Sequence, residues 1–365
     1  MKVSRFQLTS AFARTSLLGY LIVAATVSNA ADNRTQSELA VQVTSADRVV
    51  ANEAAVVHRH AKPVRGLKGL LTRAKLTSPA HKNAIAGAAA ARATLAPADV
   101  RYPADVRYLG GPVVDYAEQH AIYMLPNGKC PISSCWGDPE GFLRDLSRSE
   151  FIHVADQYVG TRGHDRYPLG VRSSVSFAAP RNFTTPTLPF TDADMVAVVH
   201  AVASQTGQTG YGHIYHVFLP PGTDVCFDST FSSCYSPDNE GPWLFCAYHS
   251  SVDFADIGHV LYSVEPYQNV ASCNVAPGTP NGQLQDSTNT ILSHEVFETI
   301  TDPDGNAWFN VTDVALLFDE IADECEFITF SSPSFWAVNA FRTEGKTYVA
   351  EPEYDNSQHA CTIER

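Results

Sequence analysis

Apart from a run near the N-terminus, apolar residues in this chain fall into short dense runs and helix-spaced rows that begin after about residue 106. After the turn-like Tyr108-Leu109-Gly110-Gly111-Pro112, the run Gln119 to Leu125 reads as a first strand. Phe151, Ile152, Ala155, Tyr158 and Val159 share one face at helical spacing. Residues 160–190, rich in Pro, Ser and Thr, read as a long surface excursion. A helix is predicted from a cap at Asp192 or Asp194 through Met195, Val198, Val199 and Val202 to Gly207. Three strand-like runs follow, Ile214–Leu219, Trp243–Tyr248 and His259–Val264, dense enough in apolar residues to need cover on at least one face. Helices are then expected from about Asn289 to Thr301 and over Val314 to Glu324. Phe335–Asn339 and Thr347–Ala350, with Glu344-Gly345 between them, read as a hairpin. The fold class is therefore α/β or α+β, a mixed sheet packed with helices.

The first 105 residues follow another pattern. Lys2, Arg5 and Arg14 precede the apolar run Leu17 to Ala25, and Ser28-Asn29-Ala30 is small where a signal peptidase reads, so residues 1–30 are expected to be a secretory signal and the mature chain to start at Ala31. Residues 31–105 are Ala-rich and basic, contain no cysteine, and read as a spacer or removable pro-region, leaving 106–365 as the folded domain. All eight cysteines lie from Cys130 onward, which fits a disulfide-bonded protein of an oxidising, extracellular or periplasmic compartment. Short loops favour pairing Cys130 with Cys135 and Cys226 with Cys234, leaving Cys246, Cys273, Cys325 and Cys361 for two further bridges. Charge divides the same way: eleven Lys/Arg face six Asp/Glu in 31–105, but eleven face thirty-three in 106–365. No Lys or Arg occurs between Arg181 and Arg342, which argues against nucleic acid or a membrane surface as partner.

Candidate chemistry concentrates in Ser293-His294-Glu295-Val296-Phe297-Glu298-Thr299-Ile300-Thr301-Asp302-Pro303. On a helix, His294, Glu295, Glu298 and Asp302 fall on one side and Leu292, Val296, Phe297 and Ile300 on the other. A histidine and a carboxylate one turn apart can reach one metal ion. With Glu320 from the expected second helix as third donor, His294, Glu298 and Glu320 become candidate zinc ligands, and Glu295 the candidate base for a metal-activated water. The expected reaction is hydrolysis of a peptide or protein substrate. The alternative for the same residues is an exposed, salt-bridged helix face, which the acidic second segment and the Thr301-Asp302-Pro303 ending disfavour. His249, His213 and His216 read as packed, hydrogen-bonded side chains.

Two resemblances attach to these residues. His294, Glu295 and the following Thr301-Asp302, with Glu320 beyond, resemble the gluzincin (thermolysin-like) metallopeptidases, which implies a zincin-like helix, zinc, and a bracing role for Asp302. Glu298 stands where that group has histidine, and a second carboxylate would acidify a zinc-held water less. Gly110-Gly111-Pro112-Val113, Cys246-Ala247-Tyr248-His249-Ser250, Asn306-Ala307-Trp308 and Glu320-Ile321-Ala322-Asp323, with the same helix, are similar to secreted EXORDIUM-like (phosphate-induced) proteins. That likeness implies an extracellular protein without an established reaction, in which the acidic cluster holds a structural metal or none.

Overall fold

The computed structural model describes residues 105–125, 131–160, 189–227, 234–236, 245–270, 273–311, 319–325 and 345–364, and the backbone of strands at 39–42, 55–58, 167–178 and 338–343. The expected signal at 1–30 lies outside the described residues.

The strands are β1 (Leu39–Gln42), β2 (Ala55–His58), β3 (Arg107–Tyr108), β4 (Tyr116–Leu125), β5 (Tyr167–Ala178), β6 (Phe190–Thr191), β7 (His213–Phe218), β8 (Val225–Cys226), β9 (Cys234–Tyr235), β10 (Tyr248–Phe254), β11 (Gly258–Glu265), β12 (Trp308–Phe309), β13 (Val338–Thr343), β14 (Lys346–Ala350), β15 (Glu353–Asp355) and β16 (Ala360–Thr362). The helices are α1 (Ile132–Cys135), α2 (Pro139–Leu146), α3 (Asp192–Thr206) and α4 (Gln283–Thr301), with a 3-10 turn at Phe151–Gln157. Seven strands form the main sheet in the order β1-β5-β4-β7-β11-β10-β2. Its centre, β5-β4-β7-β11, is parallel, whereas β10 runs antiparallel to β11. The expected mixed sheet with helices is what forms.

Because side chains alternate across a sheet, each strand feeds two cores. Ile122, Met124, Tyr215, Val217, Tyr262 and Val264 pack with Met195, Val198, Val199 and Val202 of α3. The opposite face sends Ala121, Tyr123 and Phe218 toward Leu292, Val296, Phe297 and Ile300 of α4. Thr191 and Asp194 form a capping box at the start of α3, and Gly207 ends it at φ 67°, a left-handed cap that suits glycine. Such a parallel centre, covered on both faces, explains the dense apolar runs.

Five readings of the sequence depart from the structure. The excursion at 160–190 contains β5, whose Leu169, Val171, Val175 and Phe177 carry the alternation that its Pro and Ser residues obscure. Of the strand expected at Trp243–Tyr248, residues 243–244 lie outside the described residues, 245–247 are not in a strand and a strand begins at Tyr248. Of the hairpin arm expected at Phe335–Asn339, residues 335–337 lie outside the described residues and the described arm is Val338–Thr343. α4 starts at Gln283, two turns early, and its residues from Asp286 to Asn289 are polar and yet buried, which hid that part of the helix. Among the described residues 319–325 there are turns, not the helix expected over Val314 to Glu324; Asn310 N donates to the Asp319 carbonyl (2.8 Å) and Tyr354 N to that of Ile321 (2.9 Å), so tertiary backbone bonds fix this segment.

Cys226–Cys234, Cys246–Cys273 and Cys325–Cys361 are disulfide-bonded. Cys135 is also in a disulfide, whose partner lies outside the described residues. Within the stretch read as spacer, β1 joins β5 at one edge of the main sheet and β2 joins β10 at the other. Backbone pairing of this kind asks nothing of side-chain composition, which is why an Ala-rich, basic sequence gave no sign of it. No described helix is long and apolar enough to cross a membrane.

Candidate metal centre

α4 has no exposed polar face. Every residue from Asp286 to Thr301 is buried, so the salt-bridged surface helix is excluded. The buried polar residues of α4 converge with three other segments. His294 Nε2 lies 3.0 Å from Glu298 Oε1, while its Nδ1 contacts Glu351 just after β14. His249, on β10, places Nε2 3.5 Å from Glu298 Oε2 and 3.2 Å from Glu320 Oε2. Asp323 brings Oδ1 to 3.9 Å from His294 Nε2, and its backbone N–H donates to Glu298 Oε1 (3.2 Å). The turn carrying Glu320 and Asp323 is held by the Cys325–Cys361 disulfide and by Asn310 Nδ2 donating to Glu324 Oε1 at 2.6 Å.

The three expected ligands thus meet around Glu298, but as two overlapping sets. His294, Glu298 and Asp323 form one group of mutually close donors, and His249, Glu298 and Glu320 the other. Asp323 and Glu351 were not read as site residues, and His249, read as a packed and hydrogen-bonded side chain, is buried and contacts Glu320. Asp323 had a local clue, three residues from Glu320 in an acidic turn; His249 had none, since 71 residues separate it from Glu320. Asp302 Oδ1 accepts from Asn306 N and Ala307 N, both at 2.6 Å, and closes the loop after α4. That loop meets Gly110-Gly111, with Gly111 N donating to the Asn306 carbonyl at 3.0 Å. A Cβ on Gly111 would stand 1.7 Å from Asn306 Oδ1, so only glycine fits.

Electrostatics here are lopsided. Burial opposes charge on His294, yet the Glu298 and Glu351 carboxylates prevail and hold it protonated well above the ordinary histidine range. Burial likewise works against ionised Glu298, but His294 and His249 outweigh it and lower its pKa. For His249 burial wins over Glu298 and Asp302, and the imidazole is held below its usual value. Burial pushes Glu351 and Glu265 up to about 7, and Glu295 and Glu353 well above the carboxylate range. Both carboxyl oxygens of Glu295 and of Glu353 make no hydrogen bond. The stretch without Lys or Arg explains the imbalance: β10, β11, α4 and the Glu320 turn all fall inside it, so none of them supplies a permanent cation.

Imidazole nitrogens and carboxylate oxygens at these separations fit a divalent cation. Donors about 2.0–2.2 Å from one ion stand roughly 3.3–3.6 Å apart in a tetrahedral site, close to the 3.0, 3.2 and 3.5 Å found here. The donor set suits zinc but does not single it out. A third group, Glu118, His120 and His213, lies on the α3 side of the sheet, with His120 Nε2 3.1 Å from His213 Nδ1.

No family model, curated protein or solved structure matches the chain. Both resemblances therefore rest on their motif residues.

Proposed function

We propose that this protein binds a divalent metal in its core, through His294 and Glu298 on α4 joined by Asp323, His249 and Glu320. The observation that carries the reading is the convergence of two histidines and three carboxylates, all at most 6% exposed, where neighbouring buried carboxylates outnumber nearby cations. Buried carboxylates without a cation are costly. A divalent ion offsets that cost, and a structural metal of this kind contributes directly to folding. The expected signal and the disulfides support an extracellular or periplasmic setting.

The test is elemental analysis of the exported protein purified without chelator, with thermal melts before and after metal stripping. The expected result is at least one equivalent of metal, with stability lost on stripping and regained on readdition. Protein that is metal-free, takes up none and melts at an unchanged temperature would remove the reading.

One observation favours a catalytic form. Glu295 is a buried carboxyl that makes no hydrogen bond, set within the field of His294, Glu298 and Asp323. A bound divalent ion would supply Lewis acidity, polarising a peptide carbonyl and making water more acidic. Glu295 would accept the proton of the attacking water and return it to the leaving amine. A zinc-dependent hydrolase of peptides or proteins is thus our second reading. Its test is Glu295→Gln in metal-loaded protein with a mixed peptide library: turnover by the parent falling by about 10² to 10⁴-fold supports it, and a loaded parent that cleaves nothing overturns it.

A further inference from the structure

We propose that the centre holds two divalent cations bridged by Glu298, one with His294 and Asp323 and the other with His249 and Glu320. The proposal rests on the metal-binding reading above and specifies how that site is loaded. Its basis is the way the donors divide. Glu298 Oε1 faces His294 Nε2 at 3.0 Å, while Oε2 faces His249 Nε2 at 3.5 Å. No set of mutually close donors contains both histidines, and Glu298 alone belongs to both sets. A single ion would leave one imidazole and one carboxylate outside its reach. Two ions use every donor once, with the Glu298 carboxylate spanning them as carboxylates do in sites whose ions lie about 3.5–4 Å apart.

The surroundings are also arranged for two ions. His294 Nδ1 is backed by Glu351, which orients the ring so that Nε2 faces Glu298. Glu320 and Asp323 sit three residues apart on one turn, and Glu320 N donates to Asp323 Oδ2 at 3.3 Å. That turn therefore offers one carboxylate to each group from a single rigid segment. Charge agrees with the count: Glu298, Glu320 and Asp323 bring three negative charges, and no Lys or Arg comes from α4, β10 or the Glu320 turn. Two divalent ions cover all three carboxylates; one leaves a carboxylate uncompensated in a buried space.

The experiment counts metal per chain after saturation with Zn²⁺ and removal of excess. Counts are read as differences from the parent, because Glu118, His120 and His213 form a separate group. His249→Ala and His294→Ala should each lose one equivalent, and the double variant and Glu298→Ala should each lose two. If either single variant and the double variant all lose the same one equivalent, the histidines serve one ion; the metal reading then stands and the pair falls. If the double variant keeps the parent's full content, the metal reading fails and the pair with it. A second measurement needs no variant. The parent loaded with Mn²⁺ should give an exchange-coupled electron paramagnetic resonance spectrum, and isolated Mn²⁺ signals alone at saturation would overturn the pair.

Discussion

Asp192 on one side of the main sheet and the carboxylates beside α4 on the other are both buried, but they are treated differently. On the α3 side Asp192 accepts hydrogen bonds at one oxygen from Tyr248 OH (3.0 Å) and Tyr262 OH (2.8 Å), so hydroxyls of the neighbouring strands satisfy it. On the α4 side Glu295 and Glu353 make no hydrogen bond, and Glu298, Glu320 and Asp323 turn their oxygens toward histidines and one another. The contrast separates two uses of a buried carboxylate. Where it holds the fold, the chain surrounds it with hydrogen-bond donors; where it faces imidazoles and other carboxylates, the reading proposed above gives it a cation from solution.

The comparison can be broken by substitution on each side. Asp192→Ala removes the acceptor of two buried hydroxyls and should cost about 3 kcal/mol with or without metal, measured by urea unfolding. An effect that changed with metal would erase the distinction between the faces. Stripping metal from the parent should cost about 2.7 kcal/mol relative to protein held at roughly a hundred times its Kd, and the same treatment of the His249→Ala/His294→Ala variant should cost clearly less. Gly111→Ala drives a Cβ into Asn306 and should destabilise by about 2 kcal/mol regardless of metal, since that contact lies in the brace around Asp302.

The effects that remain are smaller. Asp304, just after α4, accepts from Tyr211 OH at 2.6 Å and lies 3.2 Å from His259 Nε2. Burial would raise its pKa, but His259, Ser251 and Tyr211 prevail and bring it to about 2. Burial opposes charge on His259 as well, and Asp304 and Asp253 nevertheless raise its pKa. A depressed acid contributes stability above its unfolded value of about 3.9 and loses it as pH falls toward 2; a raised histidine contributes below about 6.5 and loses it as pH rises past its folded value. The pair's contribution, about 1 kcal/mol after allowing for its partial exposure, should therefore peak between roughly pH 4 and 6.5 and vanish in Asp304→Asn. Urea midpoints at three pH values measure it. Glu295→Gln should stabilise the metal-free protein by about 1 kcal/mol at neutral pH, since an amide needs no proton to be buried neutral; destabilisation would mean that Glu295 has a partner that matters.

The sequence made some of this legible and concealed the rest for physical reasons. Helix α4 and strands β4, β7 and β11 were read to within a few residues, apart from the polar first turns of α4, because period and apolar density are local. His294 and Glu298 were legible as a pair one turn apart. His249 was not, because β10 reaches α4 through the sheet rather than along the chain. Glu320 was identified on the expectation of a helix, and its position is instead fixed by a disulfide-pinned turn, a tertiary constraint that local propensity does not encode. Strand β5 was hidden because Pro168 and its serines resemble loop composition more than they resemble a buried strand.

The edge pairings of β1 and β2 carry a consequence for how the protein would behave once cut. A protease acting between residue 58 and the folded domain would sever the N-terminal stretch without freeing it, since four residue pairs on β5 and four on β10 would still hold it in place. Release would uncover one parallel and one antiparallel strand edge on the same sheet, each able to recruit a strand from another molecule. The cleaved but unreleased form should stay monodisperse in light scattering, whereas protein deprived of the stretch should self-associate, making the leader a guard against the sheet's own stickiness.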